Sequence, residues 1–311
     1  MPAVSVIVLV YKVEEYIERC ARALFEQTMQ DIEYVFVDDC TPDRSMEILD
    51  KVLDDYPVRR SQVKILRNET NCGQAFSRRR GVETATGDYI IHCDSDDWPE
   101  TDMYAKLHYK AWREKLDMVI CQMNLVFPDH TEIFKDKLGG DDTLGALIRQ
   151  DIQNHLIDKL VSRKAYEKGI VWPQSNMSED SAMLIQLACN CDSFGYICEP
   201  LYNYFFREGS ISRSLYDEDK VNEMRDNYNL AISCLEAKGM YKKYKKDIIT
   251  LKCFLKSVAQ PLPRTYYLDL YPEVNCAYLF DKNFSLMTRL GHLTKLLGIH
   301  GISQLLKRKK K

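Results

Sequence analysis

The stretch YIIHCDSDDWPE, residues 89–100, sets Asp94, Asp96 and Asp97 within four positions at the end of an apolar run. Carboxylates are costly to bury unless something compensates them. If the chain stays extended here, alternation puts Asp94 and Asp96 on one side and Asp97 on the other. Two carboxylates on one side of a strand end make a hard-oxygen site suited to Mg²⁺ or Mn²⁺, with phosphate oxygens completing the shell. A solvated turn, or an N-cap provided by Asp97 for the helix after Pro99, accounts for the same residues. The rest of the chain has to decide.

Three further groups of residues bear on that choice. Asp38 and Asp39 follow the apolar run EYVFV and can accept hydrogen bonds from a nucleobase N–H or a ribose; DDCTPDRS also reads as a turn with Asp43 as an N-cap. The run Arg78-Arg79-Arg80 can face a diphosphate, although a solvated helix face suits it better. Ser178, Glu179 and Asp180 open an apolar-periodic segment. Acids are welcome in a first helical turn, where the macrodipole favours them, and a carboxylate there can also take up a proton.

Alternating elements must position these groups. Val4–Val10, residues 33–37, 63–66, 88–93 and 117–123 read as buried strands. Helical spacing over 13–27, 43–55, 75–85 and 103–115 separates them. This alternation predicts βαβ units and a mostly parallel sheet, whose ligands bind beyond the carboxyl ends of the strands. Tyr11 and Lys12, Asp38 and Asp39, Arg67 and Asn68, and Asp94 to Asp97 all stand at such ends. Further on, 130–142 reads as a loop, 143–168 as two helices, 181–190 as a helix, and 194–198 and 201–206 as two strands around Glu199-Pro200. From about 217 the chain is helical and tyrosine-rich, which places a domain boundary near 215.

In this order, VSVIVLVYKVEEYIERCARALFEQT, IEYVFVDDCTPDRS, NCGQAFSRRRGVETATGDYIIHCDSDDW and MSEDSAML resemble the inverting glycosyltransferases of family 2, of the kind that builds bacterial surface polysaccharides. The resemblance covers roughly residues 3–210. It implies a GT-A fold, an α/β Rossmann-like mixed sheet over 1–215, followed by a helical extension over 216–311. It also implies a nucleotide-sugar donor, UDP-linked by expectation, with Mn²⁺ or Mg²⁺ as cofactor and a glycan or lipid-linked acceptor. By the same resemblance Val10, Tyr11 and Glu14 line the nucleoside pocket, and Asp39 faces the base. Asp94 and Ser95 contact the donor, Asp96 holds the metal, and Asp180 is the base. Arg78 and Arg207 reach toward the diphosphate, with Arg213 a second candidate in the element YNYFFREGSISRS. The chain departs from the family pattern at Lys12, at Cys40-Thr41 and at Arg79, without losing a needed carboxylate.

Composition sets outer limits. A net charge of −3 and a pI near 6.1 give no electrostatic reason to expect nucleic acid as a partner. The eleven cysteines are scattered with no CxxC pair, which argues against a common zinc site and fits reduced thiols. The N-terminal stretch lacks the make-up of a signal peptide, and no run approaches the ~20 apolar residues of a span, so a cytoplasmic protein is expected. A nucleotidyltransferase would need a glycine-rich phosphate loop where this chain has YKVEEYIER. A receiver-type domain would leave the DSDD cluster without a role, and a dinucleotide oxidoreductase lacks GxGxxG. A non-catalytic sugar-binding relative stays compatible with the sequence. From Lys282 to Lys311 there are eight basic residues and no acid, and Leu286, Leu290, Leu293 and Leu297 share one helical stripe. A helix of that kind can lie on an anionic membrane surface.

Overall fold

The computed structural model describes residues 2–134, 136, 140–206 and 216–299. Four parallel strands form the first half of the sheet: β1 (Val4–Val10), β2 (Ile32–Asp38), β3 (Val63–Arg67) and β4 (Tyr89–Asp94). They are joined by helices α1 (Ile17–Phe25), α2 (Ser45–Asp55) and α3 (Gln74–Thr84). β1, β2 and most of β4 are buried on both faces, which is why they read as unbroken apolar runs. Their register brings the carboxyl ends level, with Val10 opposite Asp38, Asp38 opposite Arg67, and Leu9 opposite Asp94.

The second half is mixed. A two-residue strand, β5 (Trp98–Pro99), leads into α4 (Met103–Glu114) and the long β6 (Met118–Val126). β7 (Thr131–Phe134) folds back on β6 as an antiparallel partner, so the segment expected as a loop contains a strand. The region expected as two helices, 143–168, holds two short ones, α5 (Thr143–Ile148) and α6 (Arg163–Glu167), but between them it places β8 (Lys159–Ser162), antiparallel to both β4 and β6. α7 (Glu179–Asn190) then feeds β9 (Phe194–Phe205). β9 is one strand parallel to β6 where two were expected, with its register shifting twice, between Ile197 and Pro200 and between Pro200 and Tyr202. The order across the sheet is β3-β2-β1-β4-β8-β6-β9-β5.

The remaining described helices are α8 (Glu218–Ala237), α9 (Lys245–Val258), α10 (Arg264–Asp269), α11 (Asn275–Phe280) and α12 (Leu286–Leu297). α8 packs on α7, and Val221, Tyr228 and Leu235 share one apolar core with Leu184 and Leu187. It also grips the loop before α7. Glu223 accepts from the N–H groups of Asn176 and Met177 at 3.2 and 3.1 Å, and Asn227 donates to the carbonyls of Ser175 and Met177 at 3.1 and 2.8 Å. The expected boundary near 215, like Arg207 and Arg213, lies outside the described residues.

Candidate active site

At the end of β2 the two aspartates are held rigidly. Asp38 accepts from the Thr41 N–H at 2.8 Å and from Arg67 Nε at 2.8 Å. Asp39 accepts from Asn68 Nδ2 at 2.6 Å and from the N–H groups of Cys72 and Gly73, each at 2.8 Å. Gly73 has φ +85°, a conformation that suits glycine, and the Asn176 side chain packs where a Cβ would stand. Asp39 therefore fixes the 68–73 loop that starts α3. Its position is set by its own chain before any ligand arrives.

At the end of β1, Val10 is fully buried and Tyr11 is exposed, with the Lys12 ammonium 5.2 Å from its ring centre. Glu14 is tied to the start of α2: its Oε2 accepts from the Arg44 N–H at 3.1 Å. Lys12, Glu14, Tyr16, Pro42 and Asp43 line an open depression there.

The DSDD turn separates its members, but not as capping predicts. Asp97 is buried and accepts from the Phe205 N–H at 2.7 Å and from the Tyr202 hydroxyl at 3.0 Å. The same hydroxyl accepts from the Asp94 N–H at 3.0 Å. Asp97 thus fastens the turn to β9 and does not cap α4, whose N-cap is Asp102. Burial, with Asp94 and Asp96 nearby, holds the Asp97 carboxyl well above the usual carboxylate range. Ser95 is buried, while Asp94 and Asp96 are half exposed. A guanidinium also belongs here: Arg19 Nη2 donates to the Asp96 carbonyl at 2.8 Å while lying over the rings of Trp98 and Phe205. Its position on α1, 77 residues earlier, gave no sequence signal.

Asp94 and Asp96 fit a divalent cation by their chemistry. Both carboxylates are partly exposed, and the charge of each raises Asp97. No group of three or more His, Cys, Asp or Glu side chains converges among the described residues. An Mg²⁺-like ion can be held by one or two carboxylates, with waters and substrate phosphates completing its shell.

Arg78 joins this strand end to α7. The arginine run divides according to the 100° step of a helix. Arg79 pairs with Glu83 at 2.7 Å on the outside, and Arg80 donates to the Arg67 carbonyl at 2.9 Å. Arg78, which the resemblance directs toward the diphosphate, is 3% exposed and lies 3.3 Å from Glu179 Oε1 and 3.1 Å from Asp180 Oδ1. Burial works against its charge, but Asp180, Glu179 and Asp94 outweigh it and raise its pKa. Glu179 is itself buried; desolvation and the neighbouring Asp180 push its carboxyl up to about 8. Ser178 does not cap α7 with its side chain; it sits at φ +62° and turns the chain into the helix. Asp180 keeps partial exposure, with 23% of its side chain accessible.

The model of glycosyl transferase family 2 matches residues 5–171, more than half of the chain. The chain belongs to glycosyl transferase family 2. Among the relatives of this family-2 glycosyltransferase, EpsJ of Bacillus subtilis is 26% identical over 264 residues, 81% of this chain and 75% of EpsJ. The cholesterol galactosyltransferase of Borreliella burgdorferi is 26% identical over 275 residues, covering 81% and 74%. The fold is that of S. aureus TarS: residues 1–349 of TarS, in complex with UDP-GlcNAc, superpose with a TM-score of 0.66 at 20% identity, covering 90% of this chain and 79% of that one. The mannosyltransferase PcManGT of Pyrobaculum calidifontis, in complex with GDP-Man and Mn²⁺, gives 0.55 at 14% identity, covering 95% and 86%. The GT-A architecture with a helical C-terminal region is therefore established for this family-2 chain.

Proposed function

We propose that this family-2 glycosyltransferase works with inversion, moving a sugar from a nucleotide donor, UDP-linked by preference, to a hydroxyl of a glycan or lipid-linked acceptor in bacterial polysaccharide or glycolipid assembly. The observation that carries the reading is Arg78. One buried guanidinium ion-pairs with Asp180 and feels the field of Asp94, so the residue suited to proton transfer and the residues suited to the diphosphate form one electrostatic unit. TarS in complex with UDP-GlcNAc supports the donor class.

In this reading Val10, Tyr11, Glu14 and Asp39 border the nucleoside. Asp94 and Ser95 border the ribose and diphosphate, and Asp96 with Asp94 holds Mn²⁺ or Mg²⁺. When bound, the ion supplies positive charge against the leaving diphosphate. The acceptor oxygen attacks the anomeric carbon on the face opposite the diphosphate. The C–O bond to the phosphate breaks with its electron pair on the phosphate oxygen, and the acceptor proton passes to the Asp180 carboxylate. Arg78 and Glu179 position Asp180. A cytoplasmic site, brought to the membrane by the basic C-terminal end, would meet a lipid-linked acceptor.

The test is a panel of nucleotide sugars with Mn²⁺, read by binding heat and by slow donor hydrolysis. One nucleotide sugar is expected to bind, with hydrolysis reduced in Asp96→Asn. Asp180→Asn should keep the binding heat and lose turnover by about 10²–10⁴-fold. Full turnover in Asp180→Asn would refute the base assignment. Binding without turnover in the unaltered chain would mark a non-catalytic relative, and release of pyrophosphate from a nucleoside triphosphate would mark a nucleotidyltransferase.

A further inference from the structure

Helix α12 is mounted with its apolar side outward. Its inward side is polar and well tied. His292 is fully buried, with Nε2 2.8 Å from the Asn275 carbonyl and Nδ1 hydrogen-bonded to the Tyr267 hydroxyl. Gln260 donates to the Thr288 carbonyl at 2.8 Å, and Lys295 Nζ donates to the Leu262 carbonyl at 2.6 Å. Arg264 caps the last turn, donating to the carbonyls of Lys295 and Leu296, each at 2.8 Å. At 100° per residue, Leu286, Leu290 and Leu297 fall within one narrow stripe roughly opposite His292. Leu286 is 64% exposed and Leu297 62%, and Phe280, Met287 and Ile299 are exposed as well.

A soluble helix normally turns such a stripe toward its own core. A contiguous exposed patch marks a surface that meets something else. The charge of the chain says what. Lys282 to Lys311 carries eight basic residues and no acid, and five of the eight are the consecutive residues 307–311. That density repels a second copy of the same surface and complements a negatively charged one. We infer that the outward stripe of α12 is a membrane-docking face, inserting its leucines at the acyl boundary of an anionic bilayer while the lysine-rich run meets the headgroups. The two signals complement each other, because apolar area and electrostatic attraction add in interfacial binding. Among the described residues no helix is long and apolar enough to cross a membrane, so the contact would be peripheral. The inference deepens the membrane part of the proposed function and is independent of the donor.

The full chain should sediment with vesicles containing phosphatidylglycerol, more weakly at high salt, and much less with phosphatidylcholine alone. Leu286→Ser with Leu290→Ser should weaken binding by more than about tenfold, with unchanged far-UV circular dichroism and unchanged donor hydrolysis. In a second measurement, the fluorescence added by Leu290→Trp should shift to the blue only with anionic vesicles. Wild-type failure to bind would refute the membrane reading as a whole. Equal binding by the serine variant, or no blue shift, would leave a purely electrostatic tail contact and overturn the docking face. A dimer in light scattering that the serine variant dissolves would assign the stripe to a second copy instead. A blue-shifted Leu290→Trp without vesicles would assign it to the chain's own C-terminal residues. None of these outcomes touches the sugar-transfer reading, which the hydrolysis arm reports separately.

Discussion

Helices α7 and α12 depart from the usual burial pattern in opposite directions. α7 takes Glu179 inside, against Arg78, and keeps Asp180 only partly accessible. α12 turns Leu286 and Leu297 outside. The first departure has its counterpart within the molecule: the Arg78 guanidinium faces both acids, and α8 holds the loop that leads to them. The second has no counterpart on its exposed side among the described residues. Buried charge should therefore be expensive to disturb in isolation, and exposed leucine should be almost neutral until its outside partner is present.

That contrast can be broken most severely at Arg78. Arg78→Met takes the buried counter-ion away from Asp180 and from the buried Glu179 carboxyl, and removing one partner of a buried ion pair costs about 3–5 kcal/mol. Urea unfolding followed by circular dichroism would measure it; a loss below about 1 kcal/mol would show that water already reaches the pair. Tyr202→Phe should cost about 1–3 kcal/mol, because the Asp97 carboxyl and the Asp94 N–H each lose a partner in a buried place. Donor affinity should fall with it, since the turn is held from β9.

Glu179 sharpens the comparison through pH. Its folded-state pKa of about 8 lies above the ordinary carboxylate value. The folded chain keeps a proton that the unfolded chain releases, so this group favours folding at low pH. That contribution is lost as pH rises from about 4 through about 8. Glu179→Gln should remove this part of the slope, and the melting-temperature difference between variant and wild type should move in the variant's favour from pH 5 to pH 9. An unchanged slope would place the proton elsewhere. The smallest effect belongs to α12: Leu290→Ser should change stability in vesicle-free buffer by no more than about 0.5 kcal/mol.

The legible and illegible parts of the chain divide along physical lines. β1 and β2 were readable because strands buried on both faces cannot afford polar residues in their middles. β8 was not, because a fully buried ion pair, Asp158 with Lys159 at 2.7 Å, stands at its start and disguises the strand as polar. The Glu199-Pro200 interruption reads as a break, yet the strand absorbs it as a bulge. Sequence order brought Asp39, Asp94, Asp96 and Asp180 to attention. It could not show that Asp97 answers to Tyr202 and Phe205, or that Arg78 alone of three arginines turns inward, because those facts depend on contacts about a hundred residues apart.

The fastening of Asp97 to β9 has a consequence for the nascent chain. β4 and its acidic turn are complete by residue 97, but Tyr202 and Phe205 follow 105 and 108 residues later. At roughly 5–20 residues per second, the ribosome leaves that turn unanchored for about 5–20 s. Through much of that interval β4 is also an open edge, since β8 at 159–162 has yet to be made. Every chain in synthesis therefore passes through a stage in which the residues of four strands are made while the later partners of β4 and its acidic turn are not. Holdase chaperones would find their opening there, and truncations ending before β9 would be cleared by proteolysis before they accumulate.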